Sequence, residues 1–460
     1  METTKDKGFR NDAEQSGKAA VPMKTWKNIV SSGIMKKVLL TAVGLFAFYL
    51  LSLTLVYCIP KSAMVENVAE SIGVIAQDGK YPNWFFGSPV CFFDNYSDSR
   101  MLNMALQTSE HPFHAAMSAD YEVAEGSADT PFAQYHDLVA AAEGKAAGRE
   151  SYGRMWHGYL VWLKPLLTFL NLHEIRQIIY MVSFFLYLLT ILAMNKKMGF
   201  RAAFPFICAT LMSYTTIITI NMMFSVDVNL MLLGVMMVLL FSSNKTYDRY
   251  EPLFFGLIGT SMAFWGTFEA PLITLGMPLL VSLQMRQRQG KSAKQLWGHL
   301  IGNCAGYGIV YSITLVSKWI LAALVTGSSD GSSVSGGWIG LPPSFREYAG
   351  RLVSLLQGFL TPLRSMGILI LLTAVVLIVL MIRFRAKKVA VSSLLPFLFI
   401  FCFPAFWALV LFGHSGHGFT RFIMMISVDA FLWIVMNFID WESFRNKLEK
   451  GRFGKTGLLG

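Results

Sequence analysis

The 460-residue chain is 54% hydrophobic and only 15% charged, with 36 Phe, 25 Met and 11 Trp, against roughly 25% charged residues in an ordinary soluble domain. So much apolar surface excludes a single water-soluble globule and points to a helical membrane protein. The net charge of +11 does not signal nucleic acid, because the basic residues cluster in short segments between apolar runs, the pattern that orients spans.

Residues 1–37 form a polar leader carrying eight Lys and Arg, and 38–59 is an apolar run long enough to cross the bilayer as an uncleaved signal anchor. Residues 60–160 form a large loop with 13 Asp and Glu against 6 Lys and Arg. Further spans are expected near 174–195, 202–219, 228–243, 252–267, 269–285, 298–325, 363–382, 391–412 and 422–439, about ten in all. Residues 161–440 are thus the remaining transmembrane bundle, with a second outer loop over 326–360, and 441–460 is a basic tail. With both termini in the cytoplasm, the inner segments hold 26 of the 39 Lys and Arg, and seven of eight histidines fall outside. The expected fold class is an all-α polytopic membrane protein whose large first extracytoplasmic loop contains interfacial helices.

Within that loop, residues 115–149 are rich in Ala, Gly, Asp and Glu and lack apolar periodicity, so a surface linker or a lid is expected there. The aromatic stretch 81–93 is expected to be ordered against the bundle or the membrane surface. Residues 160–170 and 352–360 are too short to span and read either as helices lying along the interface or as early starts of the next span. Five scattered cysteines with no CxxC pair suggest neither a zinc site nor a disulfide framework.

Three strings on the outer side carry possible chemistry. In Asp94-Asn-Tyr-Ser-Asp98 the two carboxylates bracket a helix start, where the dipole and free amides stabilise anions. The bland reading is an N-cap; the functional one makes Asp98, with Asp94 in reserve, a base for an acceptor hydroxyl. Arg154-Met-Trp-His157-Gly-Tyr returns the chain to the bilayer and suits either a phosphate-bearing headgroup or an ordinary interfacial aromatic belt. His414 and His417, followed by Arg421, form a short outer turn; two histidines lack the further ligands a metal site needs, so a second phosphate-facing group, or interfacial anchoring, fits better. Lys318, Asp227 and Glu269 sit in the outer parts of apolar runs and should face protein or water.

The strings DNYSDSRMLNMA, RMWHGYLVWLKPLL, FEAPLITLGMPL and HSGHGFTRF, set on a first span followed by a large outer loop and a bundle, resemble the GT-C superfamily of membrane glycosyltransferases, in a poorly characterised bacterial branch. The resemblance implies an inverting enzyme that moves a sugar from a polyprenyl-phosphate carrier to a glycan or lipid acceptor on the outer face of the bacterial plasma membrane. It makes Asp98 or Asp94 the base, and implies that Arg154, His157, Lys318, His414, His417, Arg421 and Glu269 contact lipid phosphate or sugar. The chain departs from the familiar pattern in having no adjacent acidic pair directly after the first span. The cofactor is unknown; a divalent metal is possible within the superfamily but the residues do not indicate one. Membrane lipids are expected partners and nucleic acid is not. The alternative is a transporter or flippase of a lipid-linked glycan or other anionic lipid, and a third reading is a ligase that needs no carboxylate base.

Overall fold

The computed structural model describes residues 33–83, 93–266, 270–327, 344–360, 362–386, 389–410 and 419–447. The chain divides into two units, residues 1–52 and 53–460. The described chain is mostly helical, with one two-stranded antiparallel pairing in which β1 (Tyr121–Val123) meets β2 (Gly148–Glu150). Helix α1 (Gly33–Val56) is a continuous apolar helix of the length that crosses a bilayer.

The segment expected as the large outer loop is a folded module, here the outer module. It contains α2 (Val65–Asp78), α3 (Asn95–Leu106), α4 (Pro112–Ser118), β1, α5 (Ala133–Glu143), β2 and α6 (Leu160–Leu167). The expectation of a linker or lid over 115–149 is therefore corrected: Met117, Leu138 and Ala141 are fully buried there, and α5 packs on α2, α3 and β1. Small side chains conceal this core from a search for large apolar residues, because Ala lets neighbouring backbones approach closely. Helix α6 falls where the short interfacial element was expected. The aromatic stretch 81–93 lies largely outside the described residues.

The bundle follows with α7 (Leu172–Met198), α8 (Phe200–Met212), α9 (Thr215–Ile218), α10 (Met222–Phe241), α11 (Lys245–Trp265), α12 (Pro271–Arg288) and α13 (Ala293–Thr326). Capping fixes two of the long starts. Asn171 accepts from the Glu174 amide while Glu174 returns a bond to the Asn171 amide, and Ser292 with Gln295 does the same before α13, which satisfies amides otherwise left without acceptors. The segment expected as a second outer loop, 326–360, contains α14 (Phe345–Leu360), and α15 (Pro362–Arg383), α16 (Leu395–Phe401), α17 (Phe403–Val410) and α18 (Phe419–Met436) follow.

Among the described residues, four helices are long and apolar enough to cross a membrane: those at 39–56, 172–198, 222–241 and 293–326, with shorter apolar helices at 200–212, 370–383, 391–407 and 423–436. Two expected spans are not continuous. The run 202–219 breaks at Tyr214, whose backbone is left-handed (φ 53°), and the run 391–412 divides into α16 and α17 beside Pro404, where a helix interior cannot keep its hydrogen bonding. The expected span 228–243 begins earlier, at Met222.

Helices α11 and α13 lie against each other over much of their length. Their closest approach depends on Gly306, where an added Cβ would lie 2.1 Å from the Pro252 carbonyl oxygen; such contacts between small residues carry helix pairing where lipid replaces water. The other flank of α13 presents Ile309, Ile313, Ile320 and Leu324, all exposed and on one helical face, as a lipid-facing surface requires.

Candidate functional site

Helix α3 organises the outer module. Asp94 is its N-cap: Oδ1 accepts from the Ser97 amide at 3.0 Å and Oδ2 from the Ser97 hydroxyl at 2.7 Å, while the Asp94 amide donates to Asn221 Oδ1 at 2.6 Å. Burial pushes its carboxyl up, and the two Ser97 bonds, followed by Arg176 and Lys80, oppose the rise. The capping reading of this residue is the geometry observed.

Asp98, one turn on, is fully buried. Arg176, on the second turn of α7, donates to Asp98 Oδ2 from Nη2 at 2.7 Å and from Nε at 3.2 Å, and Nη2 also reaches Asn95 Oδ1. Asp98 Oδ1 closes no hydrogen bond, although the Met222 amide at the start of α10 favours its anion. Burial outweighs Arg176 and pushes the carboxyl up to about 6, which is where a base working near neutral pH belongs. Sequence reasoning did not single out Arg176. Its one signal is an arginine set within an apolar run, where an unpaired charge is costly.

The second string folds inward. Trp156 is fully buried and donates to the Thr314 carbonyl at 2.8 Å, and the Gly158 amide donates to the Phe264 carbonyl at 2.9 Å. A Cβ at Gly158 would lie 2.4 Å from that same oxygen, so only glycine fits. His157 holds a left-handed backbone (φ 54°) with its ring between the Tyr152 carbonyl, 2.9 Å from Nε2, and the Tyr159 hydroxyl, 3.2 Å from Nδ1. Burial pulls the imidazole down to about 3, the Tyr152 carbonyl opposes the fall, and Lys318 and Arg154 add to it. The structure thus places His157, expected to contact lipid phosphate or sugar, as a buried ring held by two hydrogen bonds.

Lys318 is likewise committed. Its ammonium donates to the carbonyls of Ala116 and Met117 at 2.8 and 2.9 Å near the end of α4, where a cation meets carbonyls without intrahelical partners. It holds the outer module to α13. The Arg154 guanidinium lies 4.5 Å over the Tyr152 ring, and the Arg154 carbonyl accepts from Trp319 Nε1 at 2.7 Å. Lys164, on α6, is a further buried cation, donating to the Gln107 carbonyl at 2.6 Å.

The structure thus forms two groups along α3. Asp94, Asn95, Asp98 and Arg176 stand at its start; Arg154, His157 and Lys318 stand beyond its far end, linked to it through Tyr159, whose hydroxyl contacts Met104 Sδ at 3.3 Å. Asp227, near the N-terminal end of α10, has Oδ1 beside Gly266, 2.9 Å from where a Cβ would stand. Glu269, His414 and His417 lie outside the described residues, and Arg421 falls in α18 with its side chain outside them. Among the described residues, no group of three or more His, Cys, Asp or Glu is placed to hold a metal. No family model matches the chain, and comparison with curated proteins and with solved structures gives no match either.

Proposed function

We propose that this chain is an inverting integral-membrane glycosyltransferase of the GT-C type, with about ten spans and both termini in the cytoplasm. It takes a sugar from a polyprenyl-phosphate carrier to a glycan or lipid acceptor at the outer face. The observation that supports this reading is the state of Asp98: one carboxylate oxygen is held by Arg176 while the other, Oδ1, keeps an unused lone pair in a buried site. In the proposed step the acceptor hydroxyl gives its proton to Asp98 Oδ1. Its oxygen bonds to the anomeric carbon as the bond from that carbon to the carrier phosphate breaks, and the pair of electrons leaves on the phosphate. Arg176 fixes the carboxylate without neutralising its free oxygen, and Arg154 and Arg421 are assigned the leaving phosphate.

The test is a mass profile of surface glycans and lipid-linked sugars in wild-type, deletion and Asp98→Asn cells at equal protein level. The expected result is that deletion and Asp98→Asn lose the same sugar, with turnover reduced about 10²- to 10⁴-fold, the usual contribution of a positioned base. Loss in the deletion alone, with Asp98→Asn folded and active, overturns the assignment.

A second reading, transport of a lipid-linked glycan or anionic lipid, has its own observation. Glu251, fully buried, accepts from Arg286 Nη2 at 2.7 Å and meets His299 Nδ1 at 2.9 Å, and Asp429 accepts from Gln284 at 2.9 Å. Ionisable groups inside a bundle are characteristic of transport pathways. Under that reading Asp98→Asn leaves the sugar profile intact while Glu251→Gln changes it.

A further inference from the structure

A cavity of about 240 Å³ lies at the end of the bundle remote from Arg176. Its Arg201 follows the far end of α7, which lies about 33 Å of helix beyond Arg176. Arg201 and Arg288 line it together with Gln287, Ser393, Trp433 and Asn437. Among the described residues no carboxylate lines it, although two cations share it and bear on each other as like charges.

The remaining walls are already arranged. Arg201 donates to Asn437 Oδ1 at 3.1 Å, its guanidinium lies 5.5 Å over the Trp433 ring, and its Nε has no acceptor. Trp433 Nε1 donates to Gln287 Oε1 at 2.8 Å, and Gln287 Nε2 donates to Ser393 Oγ at 3.1 Å. These bonds hold the aromatic floor and the polar rim in place, so little side-chain ordering is left for a ligand to impose. Arg288 is exposed and enters no ion pair or hydrogen bond among the described residues. Two guanidinium forks without an acid counterpart are matched by a tetrahedral oxyanion, which each can meet with parallel N–H bonds. The volume is below the roughly 300–1,000 Å³ of sites that enclose drug-sized ligands, and suits a phosphate group more than a whole nucleotide.

We propose that this cavity binds a phosphate group, supplied by an anionic lipid headgroup or as free phosphate, through Arg201 and Arg288. The site does not depend on the glycosyltransferase reading, and its test uses neither Asp98 nor a sugar readout. The full chain, purified in detergent, is titrated with phosphatidic acid, with phosphatidylcholine and with inorganic phosphate, and bound species are counted by native mass spectrometry. Wild type is expected to retain phosphatidic acid at least tenfold better than phosphatidylcholine. Arg288→Gln, which breaks no bond of the fold, is expected to lose at least tenfold in that retention with an unchanged melting temperature. Ser393→Asp sets a carboxylate in the cavity and should abolish it. Displacement of phosphatidic acid by millimolar inorganic phosphate assigns the affinity to the phosphate alone; undiminished retention assigns the source to lipid. Equal retention by wild type, Arg288→Gln and Ser393→Asp, with inorganic phosphate also failing to bind, overturns the proposal.

Discussion

Removing Arg176 tests how the outer module tolerates Asp98. In Arg176→Gln the fully buried carboxylate loses its guanidinium, and stripping one partner from a buried pair costs about 3–5 kcal/mol. The size of that loss should depend on pH in a defined direction. Asp98 already sits near 6, above its ordinary 3.8, so its protonated form favours the fold; that stability is fully present below 3.8 and is lost as pH rises through about 6. Without Arg176 the carboxyl rises further, and each pH unit below it relieves about 1.4 kcal/mol of the penalty. Equilibrium unfolding in mixed micelles should therefore show a larger gap between wild type and Arg176→Gln at pH 8 than at pH 5. Asp98→Asn/Arg176→Gln should recover most of the loss at pH 8, because neither charge is then stranded. If the activity proposed here holds, the pH at which turnover reaches half its plateau also moves upward from about 6 in Arg176→Gln. A gap that is the same at pH 5 and pH 8, with additive single and double variants, would refute the account of a buried ion pair.

Three further outcomes follow from other parts of the molecule. His157 falls from 6.5 to about 3 in the fold, so it contributes stability that is present above 6.5 and lost as pH falls toward 3, with an upper bound of roughly 5 kcal/mol; His157→Asn, which tolerates the left-handed backbone, should remove that acid-dependent loss in melts taken from pH 7 to pH 4, and an unchanged acid limb contradicts it. Gly306→Ala should destabilise by about 1–3 kcal/mol because the Cβ meets the Pro252 carbonyl, whereas Gly308→Ala, which meets nothing within 4 Å, should be neutral or slightly stabilising; equal effects in the same melts would rule out the close approach. In a background lacking the native cysteines, a membrane-impermeant thiol reagent applied to intact cells should label Lys145→Cys and spare Gln289→Cys, and the opposite labelling would invert the proposed orientation.

Much of this arrangement could be read from the chain, and the parts that could not share a physical reason. Asp94 as a cap was legible because its partner, Ser97, is three residues away, and local capping leaves a local pattern. Arg176 was not, since it meets Asp98 across 78 residues and nothing near either residue names the other. Lys318 looked available for a ligand because its acceptors are backbone carbonyls some 200 residues away, and a carbonyl has no sequence signature. His157 was read from its neighbours in the string, whereas its protonation is shifted by burial, which only the fold determines. The break at Tyr214 carries neither Gly nor Pro at the left-handed position, so composition gave no warning that the second apolar run of the bundle would divide.

The attachment of the outer module to α13 has a consequence for the order of events during synthesis. Trp156, Trp319 and Lys318 make the contacts between residues 116–156 and the helix at 293–326. The first of these segments leaves the ribosome well before the second, so a nascent chain ending near residue 290 already holds the whole module but lacks the helix whose Thr314 carbonyl accepts from Trp156. At about 5–20 residues per second, that interval lasts on the order of ten seconds or more. During it the indole of Trp156 and the carbonyls of Ala116 and Met117 must be covered by water, lipid or a chaperone. Helix α13 thus completes the module, and a chain truncated before it should be more susceptible to proteolysis even though every residue of the module is present.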